Sequence, residues 1–303
     1  MRYIKRLDEA QNLLSCLASP MRIKIIELLK LNSEMSLDEI AKKLNITNGA
    51  LTSHIKVLEE AQIINIRLVP LYRGTKKMCS LLEDKLIIEL FDKQNSLPYY
   101  ELELNVGQYD SYSVNSPCGL ATTQNVVGGY DSEIYFSYPD RFNADLVWFT
   151  NGYVLYKFPF ILKESEKVKE IQITVEMASE APGGAMDYPT SADITVNGIK
   201  VGSDYLPGER FDRKGRLTPS WWKANFGQYG WLKLYTINEE GTFFNGEKVS
   251  DVSLNDLKLY ERKTIELKIS CLSSKESEGG ITLFGKNFGD QSQGIKLRVI
   301  YEN

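Results

Sequence analysis

Histidine is almost missing from this chain: a single residue, His54, in 303. That scarcity excludes His-based catalytic triads and histidine-rich metal sites over nearly all of the sequence. Cysteine is also sparse. Cys16, Cys79, Cys118 and Cys271 stand far apart, and no CxxC pair occurs. A disulfide framework and a zinc ribbon are excluded, and the thiols read as reduced, as in the cytosol. No apolar run approaches the ~18–20 residues of a spanning helix. The first residues, MRYIKRLDEAQ, lack the apolar stretch of a secretory signal. The expectation is a cytoplasmic protein with no membrane partner and no cofactor.

Aromatic residues are scarce in the first third and abundant afterwards. Residues 1–98 hold only Tyr3, Tyr72 and Phe91, whereas the rest holds the other 15 Tyr, 11 Phe and all 4 Trp. Charge divides at the same place. Residues 1–98 carry 15 Lys/Arg against 12 Asp/Glu, and the remainder 21 against 28, within a total of −4. Two compositions argue for two folds, the first of them facing nucleic acid. The expected division is a domain over 1–93, a linker over 94–100 in DKQNSLPYY, and a second domain over 101–303.

In the first part, residues 8–17 read as a helix with Leu7, Leu14 and Leu17 on one side and Leu13 beside them. Pro20 opens the next helix, with Ile23, Ile26 and Leu29 at helical spacing. SLDEIAKKL begins with a capping box, Ser36 as N-cap and Glu39 three residues on. Leu37, Ile40, Ala41 and Leu44 form its apolar stripe, and Asn45 is a plausible stop because Asn tolerates the left-handed conformation. A turn through Thr47 leads to a helix ending near Ala61, its buried stripe made by Leu51, Ile55 and Leu58. INIRLVPLYRGTKKMCSL reads as two strands around a tip at Tyr72–Arg73–Gly74, with Arg67, Arg73, Lys76 and Lys77 and no acid. A further helix is expected from about Leu82 to Phe91.

A capped helix, a tight turn, a second helix and a basic hairpin make a winged helix-turn-helix. LASPMRIKIIELL, SLDEIAKKLNITNGALTSHIKVLEEAQII and RGTKK together resemble the arsenical-repressor-type bacterial regulators. The recognition-helix pattern of that family falls on Thr52, Ser53, His54, Ile55, Lys56, Val57 and Leu58. The resemblance covers roughly residues 8–92. It implies a dimeric, sequence-specific DNA-binding transcription regulator, with repression the more common sign. Metal sensors of this type use a Cys pair on the SLDEIAKKL helix or Asp/His clusters on the terminal helix. Here no Cys lies between Cys16 and Cys79 and no His lies outside position 54, so no metal site is expected.

The residues support the DNA reading by themselves. With Leu51 at the centre of the buried face, Gly49, Ser53 and Lys56 lie opposite, Thr52 on the flank, and Thr47 and Asn48 at the N-terminal end. Recognition helices present their N-terminal residues to major-groove base edges. Asn48 can read adenine, Thr52 or Ser53 base edges or phosphate, and Lys56 phosphate or guanine. Arg73, Lys76 and Lys77 would meet phosphates or the minor groove. His54 falls at the edge of the buried face, where a backbone-bonded structural role and a phosphate contact both remain open. A double-stranded operator is the expected partner, and two-fold dimers read palindromes. The stripes of helices 8–17 and 82–91 are the candidate dimer face, unless they complete the small domain's own core.

From Tyr99 onward the periodicity is that of strands. EIYFSY, VLYKFPFIL, EIQITVEM, ADITVNGIKVG, WLKLYTI, TIELKIS, ITLFG and IKLRVIY are short runs separated by Gly, Asn, Asp and Pro. Such spacing indicates an all-β sandwich or jelly roll, so the whole chain is multidomain α+β. Asn197–Gly198 is a hairpin signal. ADITVNGIKVG resembles a hairpin of galactose-binding-like β-sandwiches, and the segment as a whole resembles the jelly-roll half of a subgroup of such regulators. That likeness implies an effector domain. Trp221, Trp222, Tyr229 and Trp231 lie close together beside Arg213, Lys214 and Arg216. They either fill the core, pack the two domains together, or stack on a saccharide effector, with Asp187, Tyr188 and Asp193 as companions. The domain has no histidine and no telling carboxylate spacing, so no enzymatic role and no catalytic residue is expected. Two alternatives stay open: a sandwich serving protein interaction or dimerisation, and a carbohydrate-binding protein with an incidental N-terminal domain.

Overall fold

The computed structural model describes residues 2–4, 9–32, 34–70, 75–82, 86–88, 97–180, 188–271 and 279–303. The chain divides into two compact units, Met1–Lys93 and Gln94–Asn303.

The first unit runs β1 (Arg2–Ile4), α1 (Gln11–Leu17), α2 (Pro20–Leu31), β2 (Met35–Ser36), α3 (Leu37–Leu44), α4 (Asn48–Glu60), β3 (Ile64–Pro70), β4 (Thr75–Leu81) and β5 (Leu86–Ile88). The α3–α4 corner follows from local chemistry. Ser36 caps α3, its hydroxyl accepting from the Glu39 N–H while Glu39 reaches back to the Ser36 N–H at 2.8 Å. Those reciprocal bonds satisfy donors that a helix start leaves orphaned. Asn45 ends α3 in the left-handed region at φ 54°. Thr47 then caps α4, accepting from the Ala50 N–H at 3.2 Å. The strands β2, β4 and β3 form an antiparallel sheet in that order. Leu51, Ile55 and Leu58 of α4 pack with Ile25, Leu29, Ile40 and Cys79 in one core.

Three expectations need correction. Leu86–Ile88 is a strand, not part of a helix, and pairs in parallel with Arg2–Ile4. A three-residue apolar run with two β-branched side chains has no period to separate the two forms. On α1 the buried side chains are Leu13 and Cys16, while Leu14 is 42% exposed. On α2 they are Ile25 and Leu29, and Ile23 faces out. Both helices have apolar residues around more than one side, which blurs the stripe. Leu7, the wing tip over 71–74 and residues 89–91 lie outside the described residues.

The second unit is an antiparallel β-sandwich. Its strands are β6 (Tyr99–Leu104), β7 (Ser111–Ala121), β8 (Leu146–Pro159), β9 (Lys167–Glu180), β10 (Thr190–Val196) and β11 (Ile199–Leu206). After the irregular segment 207–230 come β12 (Trp231–Asn238), β13 (Gly241–Phe244), β14 (Glu247–Ser250), β15 (Thr264–Cys271), β16 (Gly280–Phe284) and β17 (Ile295–Glu302). Tyr99 and Tyr100, expected in the linker, open β6 and pair with Ile300 and Val299 of β17. EIYFSY is not a strand: Glu133–Ser137 forms a 3-10 turn, followed by another at Pro139–Asn143. Alternation alone cannot separate a strand from two short turns broken by a proline. The β10–β11 hairpin turns on Asn197 and Gly198, both at positive φ, 53° and 83°.

Two long strands organise the sandwich. One edge of β8 pairs with β7, and the other with β16 at its start and β15 further on. One edge of β9 pairs with β12, and the other with β17 and then β16. So β16 joins the start of β8 to the end of β9. Val147, Phe149, Ile173, Val175, Ile281 and Leu283 lie in the main core. Their alternating neighbours Leu146, Trp148, Ala178 and Phe284 are buried too, in a second cluster with Trp222 and Phe288. Successive strand residues face opposite ways, so this end of the sheet needs a cover on its outer side. Segment 207–230 supplies it.

Candidate functional site

On the first unit, α4 turns Asn48, Gly49, Thr52, Ser53 and Lys56 to solvent, and Thr47 is exposed at its start. Nothing lies within 4 Å of a Cβ added to Gly49, so the helix start is open to close approach. The polar groups are held locally. Thr52 donates to the Asn48 carbonyl at 2.7 Å and Ser53 to the Ala50 carbonyl at 2.8 Å. Asn48 donates its amide to the Asp38 carboxylate at 2.7 Å, and Lys56 lies 3.8 Å from Glu60. His54 is half-buried on the flank of α4. Reading DNA would mean exchanging these exposed bonds for base or phosphate partners.

The wing has no acid in its own sequence, but acids reach it through space. Lys76 pairs with Glu39 at 3.4 Å and Arg67 with Glu34 at 2.7 Å. The Ser36 backbone N–H, with its hydroxyl second and Lys76 adding to the effect, holds the Glu39 carboxyl below its ordinary range. Lys77 is exposed on β4. Arg73 lies outside the described residues.

On the second unit, a cleft of ≈160 Å³ opens where β8, β16 and β9 run side by side under the 207–230 cover. Its walls include four rings, Tyr130, Trp148, Trp222 and Phe226. Trp148 and Trp222 meet edge-to-face with centroids 5.7 Å apart, and Trp222 meets Phe226 at 5.5 Å. The Trp148 indole packs closely against β7 at Gly119: a Cβ there would come within 2.3 Å of the ring. The polar lining is acidic, with Asp131, Glu180 and Glu209. Thr282 donates to Glu180 at 2.5 Å, and the Gly227 N–H donates to Glu209 at 2.9 Å. Burial first, then the charges of Glu209 and Asp131, push the Glu180 carboxyl above its ordinary range.

Of the described candidate ligand residues, only Trp222 lines this cleft. Trp221 packs on Trp222 and donates its indole N–H to the Thr123 carbonyl at 2.7 Å. Tyr229 is buried beneath two guanidiniums, with Arg213 3.7 Å and Arg210 5.2 Å from its ring centre. Trp231 is half-buried on β12 beside Arg210. Arg216 is exposed, and its backbone N–H donates to Asp290 at 2.9 Å. Tyr188 is half-buried, its carbonyl accepting from Ser179, and Asp187 lies outside the described residues. Arg213 is structural, forking onto Asp290. Next to it Glu176 accepts backbone N–H bonds from Gly230, Asp290 and Gln291. Burial, then the charge of Asp290, pushes the Glu176 carboxyl up to about 8, against the pull of those donors. Trp148, Tyr130, Phe226 and the acids were missed because they come from separate segments. The one sequence signal was the clustering of aromatics near Trp222.

Among the described residues no group of three His, Cys, Asp or Glu converges to hold a metal ion. No described helix is long and apolar enough to cross a membrane.

No curated protein matches the chain. Solved structures do. Reduced HlyU from Vibrio cholerae N16961 is 26% identical over 25% of this chain and 76% of its own, with a TM-score of 0.22. A transcriptional regulator homologue from Pyrococcus horikoshii OT3 is 26% identical over 24% of this chain and 77% of its own, TM-score 0.21. The CBM36-1 domain of a multidomain xylanase from the hindgut metagenome of Trinervitermes trinervoides is 10% identical over 66% of this chain and 96% of its own, TM-score 0.31. Residues 19–65 match the family model described as winged helix-turn-helix DNA-binding. With the α2–α3–α4 order and the β3–β4 wing, that match makes the first unit a winged helix-turn-helix domain of the DNA-binding kind.

Proposed function

We propose that this chain is a homodimeric, sequence-specific transcription regulator, a repressor of the arsenical-repressor type, whose β-sandwich senses a small effector. The observation that carries the reading is the polar face of α4, presented by a doubly capped corner and flanked by a two-stranded wing. Asn48, Thr52 and Ser53 read base edges, while Lys56, Lys76 and Lys77 meet phosphates. Leu14 on α1, 42% exposed and apolar, fits a dimer face. The aromatic and acidic cleft fits the effector, a saccharide or another small molecule with a face that stacks on rings. The effector acts by binding two states of the dimer with different affinity, which sets operator affinity by linkage. No residue is assigned a catalytic role.

Fluorescence anisotropy of the full chain on labelled duplex, at rising salt, tests the DNA half. Each phosphate neutralised should contribute a slope of ~0.9 in log affinity against log salt. A slope near zero at low salt would remove the domain from DNA. A second reading, in which the sandwich docks a protein, is favoured by Ile134 and Phe142 on the two 3-10 turns and Tyr138 between them, all exposed. Replacing these three with Ser leaves the effector response intact under the first reading and abolishes partner capture under the second.

A further inference from the structure

The four rings of the cleft close on one another. Tyr130 meets Trp148 with centroids 6.2 Å apart, and Trp148 meets Trp222 at 5.7 Å. Trp222 meets Phe226 at 5.5 Å, and Phe226 returns to Tyr130 at 6.5 Å. Every contact in the cycle is tilted or edge-to-face, with planes between 47° and 63° apart. Those are the arrangements aromatic rings prefer, and a further ring can join them in the same way. The size agrees. An apolar cavity of about 150 Å³ holds one benzene-sized ring, and this cleft measures ≈160 Å³.

One donor in the lining is unspent. Thr282 donates to Glu180, the Gly227 N–H to Glu209, and the Trp222 indole N–H to the Gly227 carbonyl. The Trp148 indole N–H meets no acceptor among the described residues, although Trp148 is only 6% exposed. Its nitrogen is not sealed in: among the described residues, the buried side-chain nitrogen or oxygen without a partner is Arg213 Nε. Trp148 packs against Gly119 of β7 and against Trp222, so the accessible nitrogen opens on the cleft. A donor among apolar walls costs free energy until a guest brings an acceptor. Water can accept that bond but leaves the rings uncovered. A saccharide covers rings with its C–H face, yet carries hydroxyls around its whole rim, and here the rim would meet rings as well. A flat ring with one oxygen acceptor satisfies the walls and the donor together.

We propose that the cleft binds a small single-ring aromatic compound bearing an oxygen acceptor, with the ring among Tyr130, Trp148, Trp222 and Phe226 and the oxygen on the Trp148 N–H. This names the effector class and rests on the effector-site reading.

The test uses the full chain and four probes. These are acetophenone, ethylbenzene (the ring without the oxygen), cyclohexyl methyl ketone (the oxygen without the aromatic ring) and glucose. Binding is read by calorimetry and by melting temperature. Acetophenone should bind about three- to tenfold more tightly than either ethylbenzene or the cyclohexyl ketone. In isotope-labelled protein, one of the 4 tryptophan indole N–H signals should move to lower field with acetophenone and stay with ethylbenzene. Trp148→Phe keeps a ring and removes the N–H, so it should level acetophenone with ethylbenzene. Phe226→Leu, at a half-buried ring, should narrow the gap between acetophenone and the cyclohexyl ketone, and serves if the first variant does not fold. Equal binding of the three ring probes to the wild-type chain overturns the proposal. Binding of glucose alone overturns the aromatic class while keeping the cleft as an effector site. Binding of no probe overturns the proposal and leaves the DNA-binding reading to its own measurement.

Discussion

The Asn48 amide donates to the Asp38 carboxylate at 2.7 Å, across the corner between α3 and α4. The residue proposed to read adenine is therefore tied to an acid on the face proposed to meet phosphates. Replacing Asp38 with Ala releases the amide and removes a repulsive charge. Affinity for DNA should rise about three- to fivefold, the worth of one exposed bond or ion pair at ~1 kcal/mol. The cost is about 0.3–1 kcal/mol of helix stability, because Asp38 lies in the first turn of α3. Anisotropy titration at fixed salt decides the sign. Weaker binding would mean that Asp38 pre-orients Asn48 for its base.

The wing and helix cations should behave differently from Asn48. Lys56→Ala with Lys77→Ala should weaken binding to all duplexes alike and lower the salt slope by ~0.9 for each lost phosphate contact. Lys76→Ala should do less, since Lys76 already pairs with Glu39 and must leave that partner. An unchanged slope in all three would take the wing out of the interface.

Trp222 is 8% exposed and meets Trp148, Trp221, Phe226 and Phe288. Trp222→Ala should cost about 3–5 kcal/mol, the range for a buried aromatic truncation. Denaturant unfolding followed by the remaining tryptophans, all in the second unit, measures it. A cost below about 1 kcal/mol would show that the cover segment does not hold the sandwich.

The buried acids predict a pH dependence. Glu176, raised to about 8, and Glu180, raised in the same direction, both prefer the neutral form in the folded chain. A raised carboxyl stabilises the fold fully below its unfolded value of ~4.3, and that contribution is lost as pH rises through the folded value. The sandwich should therefore melt at lower temperature at pH ~9 than at pH ~5. A change of at least about 2–4 °C is expected, the equivalent of ~1 kcal/mol in a domain of this length. Glu180→Gln should flatten the profile. A melting temperature that rises over that interval would reverse the assignment.

What the sequence disclosed was local chemistry. Ser36 with Glu39, the left-handed Asn45 and the Asn197–Gly198 turn each lie within a few residues, and the backbone followed them. Relations across distance were hidden. The wing reads as acid-free, yet Lys76 meets Glu39 from 37 positions earlier. Trp148, Glu180 and Thr282 share a cleft because β16 lies between β8 and β9, a pairing no run of residues announces. Apolar side chains on two sides of α1 concealed which one faces the core, and Leu14 proved the outward one.

Selection of duplexes from a random pool by the purified full chain, repeated with Asn48→Ala and Thr52→Ala, tests the central claim most directly. The wild-type protein should enrich one inverted repeat with half-sites about 10 base pairs apart. Each variant should relax preference at one position per half-site, at ~1–3 kcal/mol. Recovery of unselected sequence at low salt, or identical sites from all three proteins, would contradict it.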